Sequence, residues 1–443
     1  MGSARRGMGR GIGRRSSFVV TACVLAVGAA GASVALAASS GHAAGAAVNL
    51  HIGDVAPLTG ANAAFGPSWI KAAQIAASDA NAAAQTAGIN LTVTVNSADE
   101  GDTPQTAVSA TRQLVSEGDS CILGGTSSSN SIAMAEAVTI PGHVVQISPA
   151  SSSVLYGNLH ANGGYTFRTL PSDALGTQVL AAYMAAKLGG AKGKLVSVAA
   201  RNDSYGGPAA KGFVAAWKKL GGKVEGPVLY DPNASSYDSE AAQIVKGHPA
   251  AFVIYDFPET YAKVGAALLR TGKFSAKKLF TTAGFPSTIP SGFPTAALQG
   301  AYVISPGEPP AGVVLSAFNS AFSASTLSPS AQQPYSVNNF DAAMLCILGA
   351  EAAHSSSGSS IASKLLSTVS SKGKKYDFLQ LGKAFAALKA NKPIDYVGVS
   401  GSTQLDSRGD PTGTVAAVTQ YQHSKLVTVE TVKLANGKLT QVK

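Results

Sequence analysis

Apolar and polar residues are distributed along the chain in short blocks that predict strands and helices in turn. Residues 89–96 alternate between the two classes, which is the period of a half-buried strand, whereas residues 68–84 place apolar side chains on one helical face. Such blocks predict strands at 49–56, 89–96, 120–123, 143–147, 194–199, 223–230, 251–255, 279–282 and 300–305. Helices are predicted at 68–84, 103–117, 131–138, 173–188, 208–220, 236–247, 258–271, 333–352 and 378–390.

This alternation is typical of α/β proteins whose parallel sheets carry helices on both faces. Two further strands at 414–421 and 425–432 predict an antiparallel pair near the carboxyl end, and residues 355–360 are expected to form a polar loop. The chain has 443 residues, which is more than one hydrophobic core supports, so we expect two lobes. Sheets of this kind bind ligands at the carboxyl ends of their strands.

The first 45 residues have the composition of an export signal. Five arginines lie in the first 15 residues, residues 18–38 carry no charge, and the small residues 35–37 (A-L-A) close this run. A basic start, an apolar middle and a small-residue end predict a secretory signal. An uncleaved membrane anchor is one alternative, because about 20 apolar residues can span a bilayer. Acylation of Cys23 is another, because residues 20–23 (V-T-A-C) resemble a lipobox. We therefore expect a secreted or extracytoplasmic protein.

The net charge changes once this signal is set aside. The chain has 34 Lys and Arg against 24 Asp and Glu, and five of the basic residues belong to the signal. The rest of the chain has 29 basic against 24 acidic side chains, a formal charge of +5, and no long basic run. Because nucleic-acid-binding proteins depend on such runs, we expect no nucleic-acid partner.

Two cysteines, Cys121 and Cys346, lie outside the signal and far apart in the sequence. Export permits a disulfide, but the spacing does not show whether their Cα atoms come within the ~4.4–6.8 Å that a bridge needs. Two separate buried thiols are the favoured interpretation, and pairing stays open.

Sequence motifs of enzymes and metal sites are largely absent. The chain contains no H-E-x-x-H, C-x-x-C, G-x-x-x-x-G-K-[ST] or G-x-S-x-G motif, and none of its seven histidines has a histidine four residues away. We predict no catalytic residue, no metal and no cofactor. A secreted serine hydrolase that uses a serine at 127–129 stays open as an alternative, because triads are assembled in space.

Hydroxyl-rich loops follow two predicted strands. We call residues 124–130 (G-G-T-S-S-S-N) the serine loop and residues 148–153 (S-P-A-S-S-S) the proline loop. Both offer backbone N–H groups and hydroxyls, a combination that suits a carboxylate or another anion. The alternative is that these residues only cap helices and fill turns. Because the two loops follow successive strands, both interpretations carry equal weight.

Several short fragments occur in the order of a known family. They are Val55-Ala56-Pro57-Leu58-Thr59-Gly60, Ile147-Ser148-Pro149-Ala150, Arg201-Asn202-Asp203-Ser204-Tyr205-Gly206, Asn339-Phe340-Asp341-Ala342 and Asp395-Tyr396-Val397-Gly398. Over about 370 residues, from Asn49 to Val418, the chain resembles the Leu/Ile/Val-binding protein family. These are substrate-binding proteins of branched-chain amino-acid ABC transporters, with a type I periplasmic binding fold.

The resemblance implies two doubly wound α/β lobes joined by three hinge crossings. After the signal at 1–45, residues 46–170 and 304–412 would form lobe 1, and residues 171–303 and 413–443 lobe 2. It also implies a monomeric extracytoplasmic receptor that captures a small polar ligand by lobe closure and delivers it to an ABC permease. That ligand would be an amino acid or a related carboxylate or amide. A ligand-sensing ectodomain that acts with a partner chain is an alternative.

The resemblance also implies which residues contact the ligand. The proline loop would hold the ligand's α-carboxylate through the backbone at Ala150 and the hydroxyl of Ser152, and the serine loop would add Ser128 or Ser129. The other expected ligand-binding residues are Phe65, Asp173 and Tyr205. Packing between the lobes is the alternative for Phe65, and a turn packed on its own lobe is the alternative for Tyr205.

One departure from the family concerns the ligand's ammonium group. Residues 283–286 (A-G-F-P) contain no acid where the family's amino-acid binders place one. A buried ammonium without a partner would be costly, so either Asp256 or Asp173 holds it, or the ligand has no ammonium. A helix N-cap ahead of Pro258 is the alternative role of Asp256.

Overall fold

The computed structural model describes residues 47–282, 285, 289, 292–306, 312–329, 331–413, 415–435 and 437–442. The predicted export signal, Cys23 and most of the acid-free segment 283–286 lie outside these residues. Within the described part of the chain, no helix is both long enough and apolar enough to cross a membrane.

The first part of the chain alternates strands with helices around one sheet. Its elements are β1 (Val48–Ala56), α1 (Gly66–Ala87), β2 (Leu91–Asp99), α2 (Pro104–Ser116), β3 (Cys121–Leu123), α3 (Ser128–Met134), β4 (Val145–Ser148), α4 (Val154–Asn158) and β5 (Thr166–Arg168). The strands pair in parallel in the order β2-β1-β3-β4-β5. A π-helical turn at Ala135–Thr139 extends α3.

The middle of the chain repeats this pattern around a second sheet. Its elements are α5 (Asp173–Lys187), β6 (Leu195–Arg201), α6 (Gly206–Lys219), β7 (Lys223–Tyr230), α7 (Asp238–Ile244), β8 (Ala251–Tyr255), α8 (Pro258–Arg270), β9 (Leu279–Thr282) and β10 (Tyr302–Pro306). These strands pair in parallel in the order β10-β9-β8-β6-β7.

The late part of the chain adds helices to the first sheet and strands to the second, and it forms a small third sheet from residues 374–376, 394–398 and 401–402. Its elements are α9 (Val313–Ala324), α10 (Ser336–Ala353), α11 (Gly358–Leu365), β11 (Lys374–Tyr376), α12 (Leu381–Lys389), β12 (Ile394–Gly398), β13 (Gly401–Ser402), β14 (Val415–Gln422), β15 (Lys425–Ala435) and β16 (Lys438–Val442). Helices α10 and α12 pack with α1 on the first sheet. Strand β14 pairs antiparallel with β10, and β15 and β16 extend the second sheet from there.

Helix α10 is the centre of the first core. Sixteen of its residues are buried, polar ones among them, so the helix is packed against protein on every side. Its one buried aspartate, Asp341, accepts hydrogen bonds from the Tyr396 hydroxyl, the Val399 and Ser400 N–H groups and the Ser400 hydroxyl. Four donors compensate the carboxylate for its burial, so the late β12 region is fixed on the helix.

The same helix corrects the interpretation of the cysteines. Cys346 on α10 forms a disulfide with Cys121 on β3, and their Cα atoms are 6.1 Å apart. The expectation of two separate thiols was wrong, because α10 crosses the first sheet directly over β3. The sequence holds no signal of that crossing.

Most predicted elements are confirmed. The strand–helix alternation, the parallel sheets and the antiparallel pair near the carboxyl end are all present. Residues 355–360 were expected to be a loop, but α11 begins at Gly358, where the Ser357 hydroxyl accepts from the Ser360 N–H. Serine at such a position is a helix N-cap, and the serine-rich sequence concealed it.

The chain passes between the two sheets three times: after β5, after β10 and before β14. We call the first sheet with its helices lobe 1 and the second sheet with its helices lobe 2. The predicted change of lobe between residues 303 and 304 falls inside β10. The lobe boundaries stay a prediction.

Candidate functional site

A cavity lies beyond the carboxyl ends of strands from both lobes. Its lining comes from the segments that follow β1, β3, β4 and β5 in lobe 1 and β6 and β8 in lobe 2, together with the last residue of β9 and the starts of α5 and α10. The lining residues are Asn62, Phe65, Thr126, Ser128, Ala150, Ser152, Leu170, Asp173, Gly176, Tyr205, Phe257, Thr282 and Tyr335. This is the position at which parallel α/β sheets bind ligands.

Six of the eight expected ligand-binding residues line this cavity: Phe65, Ser128, Ala150, Ser152, Asp173 and Tyr205. Ser129 and Asp256 are not among its lining. Phe257 and Tyr335, which the sequence analysis did not select, are. Phe257 could have been found, because it follows a predicted strand, whereas Tyr335 follows no strand and carries no such signal.

Local hydrogen bonds shape the proline loop. The Ser148 hydroxyl accepts from the Ser151 N–H at 3.0 Å and from the Ala150 N–H at 3.4 Å. The Ser153 hydroxyl caps α4 by accepting from the Leu155 N–H. The two expected roles of this loop therefore belong to different serines. Ser152 lines the cavity, where an anion could bind, and Ser153 caps the helix.

The serine loop rests on a buried carboxylate. Both Glu100 carboxylate oxygens accept from the Thr126 N–H, at 2.8 and 2.9 Å, and Glu100 also accepts from the Thr126 hydroxyl and the Asn130 side-chain amide. Glu100 is fully buried, and burial raises its pKa to about 7 against the opposing effect of these donors. Ser127 caps α3 by accepting from the Asn130 N–H, which leaves Ser128 on the cavity side.

Asp173 is the carboxylate of the cavity. It begins α5, just after the first crossing between the lobes, and is 6% exposed. Its Oδ2 accepts from the Ser152 hydroxyl at 3.0 Å, and its N–H donates to the Ser152 carbonyl at 2.7 Å. No Lys, Arg or His nitrogen of the described residues lies within 4.0 Å of its carboxylate. Burial raises the pKa of Asp173 to about 6, and the more distant charge of Arg168 opposes that rise.

Asp256 has protein partners of its own. Its carboxylate accepts from the Tyr230 hydroxyl and the Phe257 N–H, each at 2.8 Å, and lies 3.9 Å from an Arg201 nitrogen. Burial raises its pKa to about 8. The N-cap of α8 is Phe257, so the alternative role as an N-cap was wrong.

Aromatic rings form the lobe 2 wall of the cavity. Tyr205 and Phe257 stack with centroids 5.1 Å apart and planes at 9°, and the Arg201 guanidinium lies 4.3 Å from the Phe257 centroid. The Tyr205 hydroxyl and the Thr282 hydroxyl are 2.6 Å apart. Tyr205 therefore both packs on its own lobe and lines the cavity, which unites the two interpretations of this residue.

Phe65 and Tyr335 face this wall from lobe 1. Tyr335 has a φ of 67°, which is uncommon for an aromatic residue. Trp69 holds it edge-on at 6.2 Å and donates its indole N–H to the Pro334 carbonyl at 2.8 Å. Residues held in this region of φ are often found at functional sites.

A family model described as periplasmic binding protein matches residues 49–422. Among curated proteins, a Leu/Ile/Val-binding protein homolog of Brucella melitensis is 31% identical over 234 residues, which are 53% of this chain and 60% of that relative. The chain therefore aligns with less than two thirds of this relative's length.

Solved structures with the same fold include a leucine-binding protein of Thermotoga maritima, with a TM-score of 0.67, 17% identity, and 87% of this chain and 99% of that chain covered. The isoleucine complex of a branched-chain amino-acid transporter substrate-binding protein of Streptococcus pneumoniae has a TM-score of 0.66 and 19% identity, with 87% of this chain and 99% of that chain covered. The complex of a Rhodopseudomonas palustris solute-binding protein with p-hydroxybenzoic acid has a TM-score of 0.65 and 18% identity, with 88% of this chain and 98% of that chain covered. At these identities the likeness confirms the predicted type I fold.

Proposed function

This chain belongs to the periplasmic binding protein family, and we propose that it is an extracytoplasmic receptor that captures a small zwitterionic solute and delivers it to an ABC permease. Family membership confirms the resemblance found in the sequence and implies an extracytoplasmic location. The export signal, the membrane tether, the monomeric state and the permease partner stay predictions.

The observation that carries the proposal is the buried Asp173 carboxylate. A buried charge without a partner is costly, and protein structures retain one where a ligand supplies the opposite charge. The buried Asp341 carboxylate, by comparison, is compensated by four protein donors. Asp173 has the Ser152 hydroxyl and no cation within 4.0 Å among the described residues. A ligand ammonium would complete this site.

The ligand's carboxylate would bind at the proline loop. The Ser152 N–H has no acceptor among the described residues, and the Ser128 hydroxyl can donate even though it accepts from the Ser153 N–H. Once an ammonium occupies Asp173, the Ser152 hydroxyl is free to turn and donate to the carboxylate. Ala150 lines the cavity in the same loop as Ser152.

The remaining part of the ligand would lie against Phe65, Tyr205, Phe257 and Tyr335. These rings favour an apolar or aromatic side chain, because burial of apolar surface contributes roughly 25 cal/mol per Å². Relatives named for leucine, isoleucine and valine agree with this class. An acid without an ammonium, such as p-hydroxybenzoate, would bring a second negative charge beside Asp173, which disfavours it.

Lobe closure is supported by the origin of the lining. Ser128, Ser152 and Phe65 come from lobe 1, and Tyr205 and Phe257 come from lobe 2. A ligand that contacts both sets is bound fully only when the lobes are together. It therefore shifts the population toward the closed form by the contacts made there alone.

Native mass spectrometry of the purified protein, followed by calorimetric titration, tests this proposal. The solutes are L-leucine, L-phenylalanine and p-hydroxybenzoate, together with any solute that co-purifies. We expect the wild type to bind an amino acid, and Asp173→Asn to weaken that binding by about 10- to 100-fold, the effect of one charge-assisted hydrogen bond.

Two outcomes would contradict the proposal. Preference for p-hydroxybenzoate, with unchanged or tighter binding in Asp173→Asn, would show that the ligand needs no ammonium. Stoichiometric labelling of a cavity serine by a serine-directed phosphonate would favour the hydrolase alternative instead.

A further inference from the structure

We propose that Arg168 is a positioning residue that directs the Ser152 N–H into the cavity and so creates the carboxylate site. This inference rests on the proposed function, since it concerns how that site is built. Arg168 itself is fully buried and is not among the residues that line the cavity.

The guanidinium of Arg168 holds the proline loop on both sides of Ser152. Its Nη1 donates to the Ser151 carbonyl at 2.9 Å and to the Ser153 carbonyl at 2.8 Å. The first carbonyl belongs to the peptide group between Ser151 and Ser152, and the second to the peptide group between Ser153 and Val154. The two peptide groups therefore flank the pair Ser152 and Ser153. One nitrogen therefore fixes the orientation of two peptide planes in a loop that lines the cavity.

The orientation of a carbonyl decides the orientation of the N–H in the same peptide group. In a planar trans peptide the C=O and N–H bonds point in opposite directions. Because the Ser151 carbonyl points to Arg168, the Ser152 N–H points away from Arg168. That N–H has no acceptor among the described residues, and Ser152 lines the cavity. A buried positive charge behind the loop thus leaves a donor free in front of it.

Arg168 is in turn held by a second segment of lobe 1. Its Nε and Nη2 each lie 2.6 Å from Oδ1 of Asp410, which has 5% side-chain exposure. The Tyr156 ring lies 5.9 Å from the guanidinium carbon. A Cβ at Gly157 would come within 2.7 Å of Nη2 and 2.8 Å of Asp410, so the α4 backbone also closes on this pair.

Lysine could not replace arginine in this role. The planar guanidinium presents several N–H donors in a fixed fork, so it can bind Asp410 and two carbonyls at once. A lysine has a single nitrogen, and its attraction to Asp410 would hold that nitrogen on the Asp410 side, away from the two carbonyls that Nη1 binds. Arg168→Lys therefore separates charge balance from positioning.

The test uses acetate as the minimal carboxylate probe and acetamide as its neutral analogue, with every variant in an Asp173→Asn background so that no second negative charge opposes the probe. The ¹⁵N–¹H signal of Ser152 in the full-length protein is followed during each titration at constant ionic strength. We expect a saturable shift with acetate and none with acetamide. Arg168→Lys should weaken the acetate response by about tenfold, as expected for a lost charge-assisted hydrogen bond.

Two further variants separate positioning from stability. Asp410→Asn removes the buried partner but leaves the guanidinium on both carbonyls, so it should lower the thermal midpoint and keep most of the acetate response. Arg270→Lys, at an exposed ion pair with Asp238 in lobe 2, is the matched control and should change neither.

An unchanged acetate constant in folded Arg168→Lys would overturn the proposal, as would an Asp410→Asn variant that loses the response as fully as Arg168→Lys does. The absence of any Ser152 shift in the Asp173→Asn background with Arg168 intact would overturn it too. Failure of the proposed function is a separate result, because it would be seen as the absence of a bound solute in native mass spectrometry whatever acetate does.

Discussion

The two hydroxyl-rich loops of the cavity resemble each other in sequence and differ in what holds them. A buried carboxylate lies behind the serine loop, where Glu100 accepts from the backbone and side chains of Thr126 and Asn130. A buried guanidinium lies behind the proline loop, where Arg168 donates to the Ser151 and Ser153 carbonyls. The two loops thus rest on buried groups of opposite hydrogen-bonding character, an acceptor behind the serine loop and a donor behind the proline loop.

Whether the buried group accepts or donates hydrogen bonds decides what each loop can offer a ligand. A carboxylate draws donors to itself, so the Thr126 N–H is turned away from the cavity. A guanidinium draws carbonyls to itself, so the Ser152 N–H is left free. For an anionic ligand group, the proline loop supplies a backbone donor and the serine loop supplies the Ser128 hydroxyl. Similar loop sequences therefore lead to different roles.

The largest expected effect is on stability and comes from Glu100→Ala. The change leaves the Thr126 N–H, its hydroxyl and the Asn130 amide without their acceptor, and buried unsatisfied donors cost about 1–3 kcal/mol each. We expect the free energy of unfolding to fall by about 3–5 kcal/mol in urea titrations. Glu136→Ala, at an exposed glutamate, is the control and should change it little.

The same variant tests whether the loops act separately. Glu100→Ala should keep the Ser152 acetate response at the temperature where it is folded. Equal loss of that response in Glu100→Ala and Arg168→Lys would show that the two loops form one unit.

A smaller effect of opposite sign is expected for the ligand-free protein at Asp173. Burial raises the pKa of Asp173 from 3.8 to about 6, so the folded protein binds this proton more tightly than the unfolded chain does. The contribution of Asp173 to the free energy of unfolding is therefore largest below about pH 4 and falls as the pH rises to about 6. Above that, the buried charge costs about 2–3 kcal/mol. Asp173→Asn removes this cost.

We expect Asp173→Asn to be more stable than the wild type by about 2 kcal/mol at pH 7.5 and equally stable near pH 4. Urea unfolding across that range measures the difference, with Asp231→Asn at an exposed aspartate as control. A stabilisation independent of pH would mean that packing, rather than the ionised carboxylate, is responsible.

The smallest effect separates two adjacent serines. Ser128 lines the cavity and Ser129 does not, so Ser128→Ala should weaken solute binding by about tenfold. Ser129→Ala should remain within about twofold. Calorimetric titration with the co-purified solute measures both. Equal losses would return Ser129 to the site and shift the alignment of the serine loop by one residue.

Several parts of the site could be predicted because they depend on local pattern. The proline and serine loops follow buried strands, and the carboxyl ends of parallel strands converge in any sheet of this type. The two loops were found in this way, whereas the resemblance to the family singled out Ala150, Ser152, Tyr205 and either Ser128 or Ser129. Phe257 has the same signal after β8, but the acidic Asp256 beside it was the residue predicted to bind the ligand.

Other parts depend on contacts between distant segments. The choice between Asp173 and Asp256 needed the partners of each carboxylate, since Asp256 is satisfied by Tyr230 and by the Phe257 N–H. Tyr335 reaches the cavity through a left-handed turn held by Trp69, which no periodicity reveals.

The sequence by itself determined the two α/β lobes, the family and the loops that bear hydroxyls, because periodicity and strand-end chemistry are local properties of a chain. Only the tertiary structure decided that Cys121 meets Cys346, that Asp173 is the carboxylate that lines the cavity, and that Glu100 and Arg168 lie behind the two loops. Each of these depends on which side chains share a buried volume, and burial fixes both the partner of a charge and its pKa.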